Sequence, residues 1–409
     1  MADLKGKLIL AKDEYYDTDD FKTRLNNNIL VIGSSGCGKT RGIVEPNILQ
    51  AEDNYIILDP KGNLNKKYSK YLILKGYEVE TLDFIHPEKS VKYNFFEYIK
   101  SEQDILKIAH ILMNSKGQPS IKNDPFWDEA AELLISSMIA YLIENVSIES
   151  RNMKGLLQLI TYCTPTYYDK SPVDDLMSDL EKKNKDSFAL KQYKKFKACA
   201  EKTYLSIMIT VNAMIGKYDT HELNQMLAKD EINLTSFADG KKVLFVIVSD
   251  TDRSMDGLVN LFFSQTMDIL CRYADEETLN SRLPRNVRFI MDDFGTNCKI
   301  VNFEKMISNI RSRGISTMLM LQAEAQLYSA YGSDAETIIA NCDTYVYMGG
   351  NDIMTAKSVA ERWNKPYSKV LNMPIGKSVI FRRGSEPRFC ENFVLEDYEK
   401  IKTVAETER

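Results

Sequence analysis

The stretch Ile29-Leu30-Val31-Ile32-Gly33-Ser34-Ser35-Gly36-Cys37-Gly38-Lys39-Thr40 decides the fold. Four consecutive apolar residues, three of them β-branched, read as a strand buried on both faces, and they run directly into a glycine-rich turn. From Gly33 the chain meets G-x-x-x-x-G-K-[ST] at every fixed position, and a helical pattern follows at about 41–51. Glycines in such a loop let backbone N–H groups curl around phosphates, and the helix N-terminus adds partial positive charge. Lys39 would reach phosphate oxygens and the Thr40 hydroxyl would ligate Mg²⁺, with Gly33, Ser34, Ser35, Gly36, Cys37, Gly38 and Arg41 lining a site for ATP. Cys37 lies near a helix N-terminus, where a thiol pKa tends to fall. It is therefore expected to be alkylated readily, with ATP protecting it.

Outward from this loop, Tyr55-Ile56-Ile57-Leu58 is a second apolar run ending at Asp59, and Tyr77 to Leu82 alternates. A helical pattern fills 64–75. Short strands alternating with helices predict a parallel α/β sheet with right-handed crossovers. From about 101 to 230 nearly every segment reads as helix: Asp104–Met113, Phe126–Glu144, Lys154–Tyr162, then stretches around 173–183, 187–200 and 203–217. The α/β signal returns with Val243–Val248, Val287–Met291, Thr317–Leu321 and Thr344–Met348, and Ser378–Phe381 is expected as an edge strand. The sequence thus predicts one discontinuous α/β domain, 1–100 plus 231–409, interrupted by an all-helical domain at 101–230.

Composition narrows the class. A chain of 409 residues suggests two to three domains. Its 53 basic and 58 acidic residues leave a formal charge of −5, with 44% hydrophobic and 27% charged residues, which excludes disordered, collagen-like and disulfide-stapled classes. Any nucleic-acid contact must come from local basic patches, since the mean charge is acidic. Cysteines 37, 163, 199, 271, 298, 342 and 390 are scattered and form no Cys-x-x-Cys, as expected of reduced thiols, and His86, His110 and His221 show no metal-ligand spacing. The longest apolar runs fall far short of the ~20 residues of a spanning helix, so the chain is expected to be soluble.

A phosphate loop needs an acid at the end of a neighbouring strand. Val287-Arg288-Phe289-Ile290-Met291-Asp292-Asp293 supplies one: Asp292 suits the Walker-B role on Mg²⁺, and Asp293 stands where many hydrolysing NTPases place a water-polarising glutamate. Asp59-Pro60-Lys61-Gly62 fits a type I turn, or else it sets Asp59 beside the phosphate loop and turns Lys61 toward a nucleotide or a neighbouring subunit. Gln322, at the end of Thr317–Leu321, suits a γ-phosphate sensor. Arg311 and Arg313, followed by Gly314, suit either a capped helix C-terminus or a finger reaching a neighbouring subunit's γ-phosphate. Glu181 to Lys197 carries seven lysines with Phe188, Tyr193 and Phe196 among them. It reads as a nucleic-acid grip, a site for an acidic partner protein, or a solvated face with its aromatics turned inward.

Taken in order, these residues resemble the coupling proteins of type IV secretion and conjugation, the TraG/TraD-like DNA-pumping ATPases. The first block is Gly33–Thr40 through Val44-Glu45-Pro46-Asn47-Ile48-Leu49. Leu58-Asp59-Pro60-Lys61-Gly62, Gly76-Tyr77-Glu78-Val79, Tyr93-Asn94 and Asp124-Pro125-Phe126-Trp127 continue it. Asp292-Asp293-Phe294, Arg311–Gly314 through Leu321-Gln322, Gln326-Leu327 and Asn341–Gly349 resemble the late motor block. The resemblance implies a RecA-like P-loop NTPase with an inserted all-α domain that receives substrate. It implies a six-membered ring with ATP and Mg²⁺ at the interfaces, although a chain this short of membrane segments is also compatible with a monomer. The implied partners are a relaxase with its single-stranded DNA and the components of a type IV secretion channel, at the cytoplasmic face of the membrane. Two features depart from the family. The chain begins almost at the motor, so either a membrane anchor has been removed or the protein docks on a separate one. Asp293 replaces the commoner glutamate, which bears on hydrolysis more than on binding.

Two functions of different class follow: a motor driving DNA or nucleoprotein into a channel, and an ATP-gated docking platform with little pumping. A third, an unrelated P-loop kinase or transferase, is disfavoured by the late block.

Overall fold

The computed structural model describes residues 4–114, 125–164, 170–200, 203–396 and 398. Asp124, quoted above, lies outside them, as does the side chain of Cys199. Eleven strands occur among the described residues: β1 (Lys7–Ala11), β2 (Glu14–Asp17), β3 (Ile29–Ile32), β4 (Asn54–Pro60), β5 (Glu78–Asp83), β6 (Lys242–Val248), β7 (Val287–Met291), β8 (Ile315–Leu321), β9 (Thr344–Tyr347), β10 (Lys377–Arg382) and β11 (Arg388–Glu391). By contact density the chain divides into two compact units. One comprises 1–81, 234–250 and 267–409, the other 82–233 and 251–266.

The first unit is built on a sheet of order β11-β10-β9-β3-β8-β7-β4-β6-β5. Strands β9, β3, β8, β7, β4 and β6 pair in parallel, as continuous apolar runs require when helices cover both faces. All four residues of β3 are fully buried. This is the RecA-like arrangement, with the phosphate-loop strand central and its Walker-B partner β7 two strands away across β8.

Buried asparagines fix the register at the strands' amino ends. Asn28 donates from Nδ2 to Ile307 O (3.3 Å) and Asn341 O (3.2 Å) and accepts from Thr317 N–H (3.0 Å). Asn54 donates to Phe237 O (2.6 Å) and Gly240 O (2.7 Å) and accepts from Lys242 N–H (2.9 Å).

Three details depart from the sequence reading. Ser378–Phe381 lies in β10, one strand in from the edge, because the short and polar β11 (Arg388-Phe389-Cys390-Glu391) pairs outside it. The hairpin β1–β2, held to the phosphate-loop helix by Ile9 N–H donating to Asn47 Oδ1 (3.0 Å), showed no alternation strong enough to predict it. Asp59–Gly62 is a type II turn: Gly62 N–H donates to Asp59 O (3.1 Å), but Lys61 has φ +69°.

The second unit is helical: Glu102–Met113, Pro125–Asn145, Met153–Tyr162, Pro172–Lys183, Phe188–Ala200, Tyr204–Ile215 and His221–Met226. Helix Pro125–Asn145 is apolar nearly all round and forms the core against its neighbours, as such a pattern requires. Its Glu144 accepts from the N–H groups of Phe188 (3.0 Å) and Ala189 (3.1 Å), capping helix Phe188–Ala200. Within the basic run, Tyr193 and Phe196 are buried, while Lys182, Lys194 and Lys197 pair with Asp179, Glu181 and Asp174. That is the solvated face with Tyr193 and Phe196 turned inward, while Phe188 is half-buried.

Candidate nucleotide site

Gly33 leaves β3 with its N–H donating to Leu321 O (3.1 Å), and Ser34 N–H donates to Gly349 O (2.9 Å), so the loop is pinned to β8 on one side and β9 on the other. Gly36 and Gly38 have φ +78° and +95°, conformations an L side chain resists. Gly33 is needed for room: a Cβ there would lie 2.5 Å from Cys37 Sγ and 3.0 Å from Met348 Cβ. Ser35 and Gly36 are exposed, whereas Lys39 is buried and its Nζ donates to Gly33 O (2.6 Å) and Ser34 O (3.2 Å). Thr40–Val44 is a π turn that runs into helix Glu45–Gln50, with Glu45 N–H donating to Thr40 O. Pro46 has no N–H to return to the preceding turn, which accounts for the widening.

This helix carries Thr40 across β8 to β7, where Thr40 Oγ1 donates to Asp292 Oδ2 at 2.9 Å. Burial raises the Asp292 carboxyl above its usual range; the Thr40 hydroxyl opposes this, Asp293 adds to it and Lys39 opposes it. Asp59 is buried one strand further along, accepting from Leu64 N–H (3.1 Å) and Asn65 N–H (2.8 Å). Its carboxyl is pushed up to about 6, chiefly by burial and further by the charge of Asp292, against those backbone donors. Two desolvated acids, the charge of one raising the other, form a natural seat for divalent charge. Among the described residues no cluster of three or more His, Cys, Asp or Glu is arranged to hold a metal. Thr40 and Asp292, in contact at the end of β7, would fit a Mg²⁺ ion whose shell is completed by phosphate and water.

Asp293 takes φ +54°, and its carbonyl accepts from Thr296 and Asn297 N–H (both 3.3 Å). Gln322 is exposed just past β8, level with Gly33, and its N–H donates to Gln326 Oε1 (2.7 Å). Gln326 Nε2 donates in turn to Thr296 Oγ1 (2.8 Å), linking the Asp293 loop to the end of β8. The sequence reading gave Gln326 no role, and nothing local in the sequence marks this link. Arg41 is exposed and pairs with Glu396. Lys61 pairs with Asp250 at 2.6 Å.

Arg311 and Arg313 lie in a turn before β8, at the sheet edge opposite the phosphate loop, with Gly314 at φ +75° closing the turn. Arg311 lies 3.5 Å from Asp20 Oδ2 and donates to Asp20 O (2.8 Å), while Arg313 holds both oxygens of Asp275 (2.9 and 2.7 Å). β8 is seven residues long, so roughly 23 Å separates them from their own chain's phosphate loop.

The expected reactivity of Cys37 is overturned. Burial raises its thiol pKa above the ordinary value, and the Lys39 charge and backbone donors that oppose this do not outweigh it.

Among solved structures, the chain is similar to the plasmid coupling protein TrwB in complex with a non-hydrolysable ATP analogue. The identity is 17%, the match covers 95% of this chain and 90% of that one, and the TM-score is 0.69. The complex of TrwB with ADP and Mg²⁺ gives 17% identity, 90% and 85% coverage, and a TM-score of 0.66. VirB4 of Thermoanaerobacter pseudethanolicus matches at 12% identity over 98% and 99% of the two chains, with a TM-score of 0.54. At these identities the likeness concerns the fold. None of the curated proteins matches the chain in sequence. The sequence profile described as "Type IV secretory system Conjugative DNA transfer" matches residues 3–364. The chain belongs to this family of conjugative coupling proteins.

Proposed function

We propose that the protein hydrolyses ATP to drive relaxase-bound DNA into a type IV secretion channel, with the helical segment 101–230 receiving the substrate. The observation that carries this reading is the contact of Thr40 with Asp292, which joins the phosphate loop to the Walker-B strand at one sheet edge. The nucleotide complexes of TrwB support the same site for ATP here. Magnesium held by Thr40 and Asp292 would neutralise phosphate charge. The loop N–H groups bind the phosphates, and Lys39 exchanges the carbonyls of Gly33 and Ser34 for phosphate oxygens. Asp293 orients the attacking water, and Gln322 reads the γ-phosphate and passes its state through Gln326 to the Asp293 loop.

Arg311 and Arg313 are too distant to serve their own site and act, in a six-membered ring, on the neighbour's. Doing so requires them to exchange Asp20 and Asp275 for phosphate. Those pairings favour the second reading in the isolated chain, a docking platform with little turnover. ATP turnover per subunit over a protein concentration series, with and without single-stranded DNA, separates the two. The motor gives turnover that rises with both. Lys39→Ala should abolish it, and a variant retaining wild-type turnover would sink the site assignment.

A further inference from the structure

The turn Asp59–Gly62 breaks a local rule. Asp-Pro-x-Gly suits a type I turn, yet the chain makes a type II turn, whose third position calls for glycine or asparagine. That position is Lys61, at φ +69°, and Gly62 follows at φ +70°. Gly62 suits its place on two counts, its own positive φ and the Ile247 Cδ1 methyl, which a Cβ there would have to displace from 2.8 Å. Lys61 does not, because glycine would relieve its backbone. Strain of this kind persists where the side chain is used.

The place of Lys61 indicates the use. Its N–H donates to Val248 O (3.0 Å), fixing the turn at the carboxyl ends of β4 and β6. β4 also pairs with β7, Leu58 opposite Met291, so the turn stands beside Asp292 and Asp293. Lys61 Nζ lies 2.6 Å from Asp250 Oδ2, just past β6, and the negative charge of Asp293 also acts on it. Asp293 is itself in the left-handed region at φ +54°. Two non-glycine residues of opposite charge, both in the left-handed region, thus stand at the same edge of the sheet, Lys61 tethered there by Asp250.

We propose that Lys61 is a positioning residue of the hydrolytic edge: anchored by Asp250, its ammonium holds the Asp293 carboxylate in the orientation that aligns the attacking water. This rests on the hydrolytic reading above. The test compares wild type, Lys61→Gly, Lys61→Arg, Asp250→Asn and Lys39→Ala in steady-state ATP hydrolysis and thermal unfolding. Lys61→Gly should raise Tm, leave KM within about twofold and lower kcat about 10- to 100-fold, the scale on which misplacement of a reacting group acts. Lys61→Arg should recover part of kcat without the gain in Tm, and Asp250→Asn should lower kcat less than Lys61→Gly does. Lys61→Gly at wild-type kcat, with both faster than Lys39→Ala, overturns the proposal alone. Wild type no faster than Lys39→Ala overturns the hydrolytic reading, and this proposal with it.

Discussion

Gly33→Ala tests whether the phosphate loop depends on packing as well as on glycine's backbone freedom. The added methyl would sit 2.5 Å from Cys37 Sγ, 3.0 Å from Met348 Cβ and 3.4 Å from Gly349 O. The first distance is too short to persist, so either the thiol rotates to another staggered position or the loop moves. Overpacking of this kind costs about 1–3 kcal/mol. Carried into ligand binding, that weakens a nucleotide about 5- to 150-fold, at 1.4 kcal/mol per decade. Adding Cys37→Ala removes the nearest collision and leaves the Met348 contact, so the double variant should recover more than half of the loss. The coupling energy should exceed about 0.5 kcal/mol, as for residues in contact. Titration of a fluorescent ATP analogue against all four members of the cycle measures this, with thermal unfolding to verify that each folds. Gly33→Ala binding within twofold of wild type would refute the reasoning, as would a double variant no better than the single one.

Other outcomes follow from the same geometry. Asp59, raised to about 6 in the fold from an ordinary value of 3.8, takes up a proton on folding between those values. Stability should therefore fall as pH rises through that window and level off above it, and Asp59→Asn should flatten the urea-midpoint profile; an unchanged slope counts against the burial argument. Cys37 should react slowly with iodoacetamide at neutral pH, its rate still climbing past pH 9 because the thiol is raised above that value. Complete modification at pH 7 as fast as a free-cysteine control would contradict this. Asn54→Ala leaves Phe237 O, Gly240 O and Lys242 N–H without their partner, a loss of about 3 kcal/mol at about 1 kcal/mol per bond. A shift in the urea midpoint reads it, and a stability within 0.5 kcal/mol of wild type (about the effect of a neutral surface change) would show the amide to be dispensable.

Much of this was legible in the sequence because the physics involved is local. A parallel strand covered on both faces is a largely apolar run, so β3, β4, β6, β7 and β8 announce themselves, and the phosphate loop does so through glycines that only its backbone path requires. The helices of the second unit are set by periodicity within each segment. What sequence missed depends on partners far along the chain. Asn28 and Asn54 look like loop residues until the strands they join are known. Arg311 and Arg313 fit a capped turn, but nothing nearby points to Asp20 or Asp275. Cys37 was judged from the helix N-terminus alone, whereas the walls that bury it come from elsewhere in the fold, and in such a contest desolvation outweighs a partial charge.

The strand order also governs when the site can exist during synthesis. β3 emerges early, yet its two neighbours, β8 and β9, lie about 290 and 315 positions further along. Until most of the chain has left the ribosome, the phosphate loop has no sheet to hang from, and its four apolar strand residues have no cover. Closure over such a span is slow, and exposed strands invite mispairing while it proceeds. The helical unit, 82–233 with 251–266, is complete before then. A nascent chain stalled near residue 310 should therefore carry a finished helical body but no nucleotide pocket, and should fail to bind nucleotide.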